Sequence, residues 1–385
     1  MINRRYRDLR SSFEMCDNGL LSAVAVLCLI GAVMVYNAGS FHKTASSDTY
    51  YLFSHLARLA LGIVVLVIVA STNYRKLDSR IPSYSLLVLG TLLVIATVVL
   101  SKTGLVTTRA GCSRWINTSF LPIQPVEIVK VGLVLFLAHQ FGAGLDSIKK
   151  NRRQLIFIST LIASTIIALI LQPNYGNALV MLVVTVAMLY IAGMSGKYVG
   201  YIIGALIPII AAAYFLVPKI NSRLTDWFHG ITGDPVSYQV KQSLLGIGSG
   251  GVTGMGVGDS HQRLAFLPEP HTDFIFAVIG EEFGLLGCVV TLSLFALLVW
   301  RGFLIAARAG DKFGFLVASG LTTIIAIYAL ANLAMVVGLI PVMGLPLPFI
   351  SYGGSALITN MAAIGVLFSI DLRTKRFRVS KRTVV

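Results

Sequence analysis

The most constraining feature of this chain is the length of its apolar runs. Predominantly apolar stretches near twenty residues recur ten times, over 19–38, 52–71, 83–100, 124–141, 154–171, 177–193, 198–217, 274–300, 313–337 and 355–371. A helix needs about 20 apolar residues to cross the hydrocarbon layer of a bilayer, and barrel strands would instead alternate over roughly ten. The expected fold is an all-α polytopic membrane protein of ten transmembrane helices. Residues 1–385 are expected to form a single integral membrane domain. Apolar residues make up 56% of the sequence and charged residues 12%, against about 25% charged in a soluble domain. That excludes an ordinary cytosolic enzyme, a disordered chain and a disulfide-stapled secreted module.

The formal net charge is +15. In a soluble protein this would point to nucleic acid, but here the charges sort by loop. Arg4, Arg5, Arg7 and Arg10 precede the first run, and Arg373, Lys375, Arg376, Arg378, Lys381 and Arg382 follow the last. Arg75, Lys76, Arg80, Lys149, Lys150, Arg152, Arg153, Lys197, Arg301, Arg308 and Lys312 fall in alternate connections on that same side. By the positive-inside rule this side is cytoplasmic, with both termini. It holds 21 of the 31 Lys and Arg residues, with eight outside and Arg58 and Lys130 within spans. The first run is long enough to span and lacks a clear cleavage site, so it is expected to remain as a span. Cys16, Cys28, Cys112 and Cys288 are scattered and imply neither a disulfide nor a metal cluster.

The outer connections are unequal. Residues 101–123 carry Lys102, Arg109 and Arg114, three cations on the less favoured side; they are either ordinary exceptions or a site for an anion. The long outer loop 218–273, between the seventh and eighth spans, is glycine-rich from Gly246 through Gly258. It lacks the Gly-Lys-Ser/Thr of a phosphate-binding loop and reads as tight turns and shallow re-entrant backbone. Before the tenth span, Pro341, Gly344, Pro346 and Pro348 argue against a regular helix, and this uncharged segment is expected to re-enter the bundle.

Charges inside spans are costly unless paired or hydrated. Arg58, the i, i+3 pair Glu127 and Lys130, and Glu281 with Glu282 all fall in the outer half of their spans. Either they form a structural ion-pair network or they line a polar cavity open outward. Asp273 stands where the segment Pro268–Pro270 gives way to an apolar run. A carboxylate at that boundary is half desolvated and suited to take a proton; the alternative is a helix cap made by Thr272 or Asp273. Glu269, between two prolines, reads as loop surface, and His271 alone does not signal catalysis.

Two runs carry a resemblance. Leu267-Pro-Glu-Pro-His-Thr-Asp-Phe-Ile-Phe-Ala-Val-Ile-Gly-Glu-Glu-Phe-Gly284 and Gly344-Leu-Pro-Leu-Pro-Phe-Ile-Ser-Tyr-Gly-Gly-Ser355 resemble the SEDS family (shape, elongation, division, sporulation). Gly111-Cys-Ser-Arg-Trp-Ile116 followed by Gln124-Pro-Val-Glu-Ile-Val-Lys130, and Tyr238-Gln-Val-Lys-Gln-Ser243 with Gly248-Ser-Gly-Gly251, extend the likeness over nearly the whole chain. Gly256-Val-Gly-Asp-Ser-His-Gln-Arg-Leu264 looks closer to the FtsW and SpoVE pattern than to RodA. The chain departs from the family at Val126, where Ser is common, and at Asn174, where Asp is common. Ser113 occupies a variable position.

The resemblance implies a peptidoglycan glycosyltransferase of the bacterial cytoplasmic membrane, acting in cell division. It would polymerise lipid II on the outer face and work beside a class B penicillin-binding protein and other division or elongation membrane proteins. By that likeness Asp273 is the essential aspartate, and Trp115, Glu127 and Lys130 match other motif positions. The leaving pyrophosphate needs cations, for which Lys130 and Arg114 are the first candidates and Arg109 and Arg58 the next. No nucleic acid is expected as a partner. No cofactor is specified, although a divalent cation would suit the chemistry. A lipid II flippase and a non-catalytic scaffold are the alternatives. A flippase needs polar groups open to both faces, whereas these cluster toward one; a scaffold needs no embedded carboxylate.

Overall fold

The computed structural model describes residues 17–39, 50–102, 106–109, 112–117, 122–145, 151–232, 238–258 and 270–383. In chain order its helices are α1 (Asn18–Gly39), α2 (Tyr50–Ser71), α3 (Arg80–Val99), α4 (Pro125–Gly142), α5 (Arg152–Leu171), α6 (Tyr175–Ile191), α7 (Gly196–Leu216), α8 (Pro218–Thr232), α9 (Tyr238–Gly250), α10 (Ile275–Arg308), α11 (Lys312–Val336) and α12 (Gly354–Thr383). Each of the ten apolar runs coincides with a helix. Among the described residues nine helices are long and apolar enough to cross a membrane; α6 is apolar but only 17 residues long.

Within the connection between α3 and α4, β1 (Val106–Arg109) and β2 (Cys112–Ile116) form an antiparallel hairpin, with Thr107 opposite Trp115. The fold is thus helical with one small sheet, whose strands are too short to read as alternating runs. Two expectations are corrected. The expected loop 218–273 contains α8 and α9, and Gly246–Gly250 is the end of α9 rather than a turn. The apolar run expected to stop at residue 300 stays helical to Arg308.

Helices α4 and α11 bury most of their side chains and form the centre of the bundle. Such all-round apolar helices are stable only when enclosed. Small residues bring backbones together where lipid provides no hydrophobic drive. A Cβ at Gly132 of α4 would lie 2.6 Å from Leu87 N of α3, and one at Gly365 of α12 would lie 2.7 Å from Leu66 O of α2.

One end of the bundle is laced by polar contacts. Asp17 caps α1 by accepting from Leu20 N and pairs with Arg301 of α10 at 3.5 Å. Tyr74 Oη and Arg75 Nε both donate to Asp311 Oδ2, at 2.6 and 3.1 Å. Ser369 Oγ donates to Thr72 O at 2.6 Å, and His139 lies 2.9 Å from Asp78. These contacts gather the starts of α1, α3 and α11 with the ends of α2, α4 and α10 and the later part of α12.

At the opposite end, α8 and α9 cover the finish of α11. A helix leaves its last carbonyls without intrahelical partners. Here Ser243 Oγ donates to Val336 O at 2.7 Å, and Trp227 Nε1 donates to Gly338 O at 3.0 Å.

Helix α10 is broken at Gly284, whose φ of 62° and ψ of −158° are not helical. An unbroken helix would bond Leu285 N to Glu281 O and Leu286 N to Glu282 O. Both bonds are exchanged with the turn after α9. Met255 N donates to Glu281 O (3.0 Å) and Gly256 N to Glu282 O (3.2 Å), while Leu285 N donates to Gly251 O (2.9 Å) and Leu286 N to Val252 O (3.2 Å). Each group left bare in an apolar layer would cost several kcal/mol, so the exchange is what makes the break tolerable. A Cβ on Gly284 would sit 2.4 Å from Gly254 N, which leaves room only for glycine.

Candidate active site

Asp273 is half-buried in the turn Pro270–Phe274 that leads into α10. The cap position of α10 is Phe274, whose side chain makes no capping bond. Three successive carbonyls of the turn are held from different places. Tyr352 N donates to His271 O at 2.9 Å, Ser351 Oγ donates to Thr272 O, and Asn332 Nδ2 donates to Asp273 O at 2.7 Å.

The segment opposite is 341–353, which buries Leu345, Leu347, Phe349 and Ile350 against the core. Gly344 has φ +70°, and the position of a Cβ on it lies 3.4 Å from Asp273 Oδ2 and 4.0 Å from Arg114 Nη1. Gly344 thus has the acid and the guanidinium both beside it. Arg114 stands on β2, half-buried, and its Nη2 donates to Pro173 O. Its Nε is buried with no hydrogen-bond partner among the described residues. The hairpin, the turn before α6, the start of α10 and the segment before α12 converge here.

A chain of buried polar groups runs inward from Pro173. Gln172 Nε2 donates to Thr97 Oγ1, Asn174 Nδ2 donates to Gln172 Oε1 at 3.2 Å, and Asn177 Nδ2 donates to Asn174 Oδ1 at 2.8 Å. Tyr328 Oη donates to Asn177 Oδ1. The far face of the Tyr328 ring carries Lys130 Nζ, 4.0 Å from the centroid, a cation held by the ring's negative face. Lys130 Nζ lies 2.6 Å from Glu127 Oε2, at an angle outside hydrogen-bond geometry, and both side chains are 3% exposed. Asn174, where the family commonly has Asp, fits here as a neutral link that both donates and accepts.

The remaining expected residues have other contacts. Arg58 lies over the Tyr352 ring at 4.5 Å, within a cluster formed by Tyr51, His271 and Tyr352. Glu281 and Glu282 are both 1% exposed beneath the turn that breaks α10, and Glu282 Oε2 accepts from Asn37 of α1 at 2.8 Å. Trp115 is half-buried beside Arg114. Arg109 ends β1 opposite Cys112. Glu269 and residues 259–269 around it lie outside the described residues. Among the described residues no group of three or more His, Cys, Asp or Glu side chains could hold a metal ion.

The sequence reading missed Asn177, Tyr328 and Asn332. The first and last are lone amides within long apolar runs, and the cost argument applied to embedded charges holds for them in weaker form.

The family model of the cell cycle proteins FtsW, RodA and SpoVE matches residues 18–376. The chain belongs to this family. A probable peptidoglycan glycosyltransferase FtsW of Geobacter metallireducens is 36% identical over 92% of this chain and 94% of its own length. The stage V sporulation protein E of Bacillus subtilis is 34% identical over 91% of this chain and 96% of its own. The peptidoglycan glycosyltransferase MrdB of Escherichia coli is 33% identical over 91% and 93%. A chain from a solved peptidoglycan synthase complex that coordinates polymerisation and crosslinking matches with TM-score 0.76 and 25% identity, covering 93% of this chain and 98% of that one. The rod shape determining protein RodA of Thermus thermophilus matches with TM-score 0.67 and 26% identity, covering 92% and 96%. Family membership and the nine apolar helices together make this a multi-pass membrane protein of FtsW-like, RodA-like architecture.

Proposed function

We propose that this chain is a peptidoglycan glycosyltransferase that polymerises lipid II at the Asp273 end of the bundle. The observation that carries the reading is the approach of both Asp273 Oδ2 and the Arg114 guanidinium to Gly344. A sugar hydroxyl is a poor nucleophile. Asp273 takes its proton as the oxygen attacks the anomeric carbon of the donor. The new C–O bond forms as the bond to the pyrophosphate breaks, and the polyprenyl pyrophosphate leaves with the electron pair. Arg114 is aimed at that developing charge, with an Nε donor in reserve. Trp115 flanks it, and Lys130 with its counter-ion Glu127 stands behind it in the same polar network. Arg109 and Arg58 are outlying cations for the same anion. Among the described residues a divalent cation has no preformed side-chain cage, and it would take oxygens from the substrate as well as from the protein.

The basic residues of alternate connections support an orientation with both termini in the cytoplasm of a bacterial cell and Asp273 outside. A class B penicillin-binding protein is the partner this reading implies, because the glycan made here is substrate for crosslinking. The higher identities lie with FtsW relatives, which favours a division role.

The test is polymerisation of purified lipid II by the full chain with its partner, wild type against Asp273→Asn. The amide is nearly isosteric but cannot accept the proton, so glycan synthesis should fall to background with the fold intact. Near wild-type synthesis by the Asn variant would end the assignment.

A further inference from the structure

Asn332 touches both walls of the site. It lies one turn before the end of α11 and is 0% exposed. Its Nδ2 donates to Asp273 O and to Leu345 O, each at 2.7 Å. Both contacts are carbonyl oxygens, so the amide can face them only with its nitrogen. Oδ1 is then turned away, buried, and without a hydrogen-bond partner among the described residues. A buried acceptor left unmade costs about 1–3 kcal/mol. A side chain kept at that cost supplies something an apolar residue of the same size does not.

What it supplies is a fixed separation. Ser351 and Tyr352 also hold the 271–273 turn, but both belong to the segment 341–353, so their bonds tie two irregular segments to each other. Asn332 stands on a helix enclosed by the core. Its two bonds refer both segments to that helix: the turn through Asp273 O, and the opposite wall through the residue after Gly344. We infer that Asn332 is a positioning residue for Asp273, setting where the carboxylate lies relative to Gly344 and Arg114. The inference rests on the glycosyl-transfer reading above. It makes a distinct statement, because a misplaced acid slows the chemical step even when every reacting group is present. A displacement near 1 Å at a reacting centre costs on the order of 100-fold in rate.

The experiment compares Asn332→Leu, which keeps the volume and removes the donors, with Asn332→Ser, which keeps one donor and leaves room for a water. Wild type and Asp273→Asn are run beside them, each as the full chain with its partner. Thermal stability, kcat and KM for lipid II are measured, and kcat is followed across pH. The expected result is a fall in kcat of about 10- to 100-fold in Asn332→Leu with KM within threefold. Asn332→Ser should be intermediate, and the acidic limb of the pH profile should move in Asn332→Leu because the surroundings of Asp273 have changed. A folded Asn332→Leu enzyme with kcat within twofold of wild type overturns the inference. A loss confined to KM overturns it too. If neither variant folds, Asn332 is a structural residue and the positioning role is rejected. An inactive wild type, or an active Asp273→Asn, counts instead against the glycosyl-transfer reading.

Discussion

A single methyl group at residue 344 probes the space beside the acid and the guanidinium. Gly344→Ala has two separable effects. The first is conformational: φ is +70°, and an L-residue there costs about 1–2 kcal/mol. The second is local: the new Cβ would lie 3.4 Å from Asp273 Oδ2 and 4.0 Å from Arg114 Nη1. Neither distance is a clash, so the side chains need not move. The methyl instead fills the space that a nucleophilic hydroxyl must enter to come within about 2.6–3.2 Å of the carboxylate. Polymerisation should therefore fall by at least about tenfold, equivalent to roughly 1.4 kcal/mol in the barrier, with only a modest loss of thermal stability. Gly353→Ala is the control from the same segment. Its Cβ would meet Ala356 Cβ at 3.5 Å and Pro346 Cβ at 3.9 Å, both ordinary apolar contacts, and its φ is not in the left-handed region. Initial rates of lipid II polymerisation are measured for both variants at matched folded protein. Gly344→Ala turning over within twofold of Gly353→Ala would refute the placement of the reacting hydroxyl between Asp273 and Arg114.

Three further outcomes are expected. Lys130→Met and Glu127→Gln should each destabilise the detergent-solubilised protein by about 3–5 kcal/mol, because each strands a buried charge. The double variant should regain most of that stability yet polymerise poorly; recovery of turnover in the double variant would leave only a structural ion pair. At the other end of the bundle, burial works to raise the Asp311 carboxyl, but bonds from Tyr74, Gly314 N and Arg75 outweigh it and hold it below the ordinary carboxylate range. A depressed folded value means this contribution is present above the unfolded carboxylate range, near pH 4, and is lost as pH falls through the folded value. Asp311→Ala should lower stability at pH 7 by about 1–2 kcal/mol, chiefly by removing the cap on α11, and should matter less in acid; an unchanged difference at pH 3 in thermal melts would contradict this. For orientation, a cysteine introduced at Val252 or Met255, both exposed, should react with an impermeant thiol reagent on intact cells and one at Arg376 should not, and reversed labelling would invert the outward site.

The apolar runs were legible because bilayer thickness writes a length into the sequence, and all ten mark helices. Asp273 was legible because a carboxylate at the mouth of an apolar run is conspicuous. Helix α8 could have been read from the helical spacing of Ile220, Leu224, Trp227 and Phe228, a signal too brief to stand out beside the spans. The hairpin had none of comparable strength. The site's assembly was not legible at all: Arg114, Asp273, Asn332 and Gly344 come from four separate stretches, and no local pattern says which will meet. Lys130 was expected to face an anion; that it lies against Tyr328 depends on how α4 and α11 cross, which follows from packing rather than composition.

The break at Gly284 divides α10 into a short outer arm, which carries Asp273 at its tip, and a long shaft anchored in the bundle. The pivot between them is gripped by main-chain atoms of the 251–256 turn. A displacement of α9 therefore reaches the Asp273 arm through these peptide groups as well as through Ile247, which packs beside Gly280. Such a linkage can keep its mechanics while the side chains around it diverge, provided the glycines stay. A partner bearing on this outer segment could adjust the reach of the carboxylate without touching it.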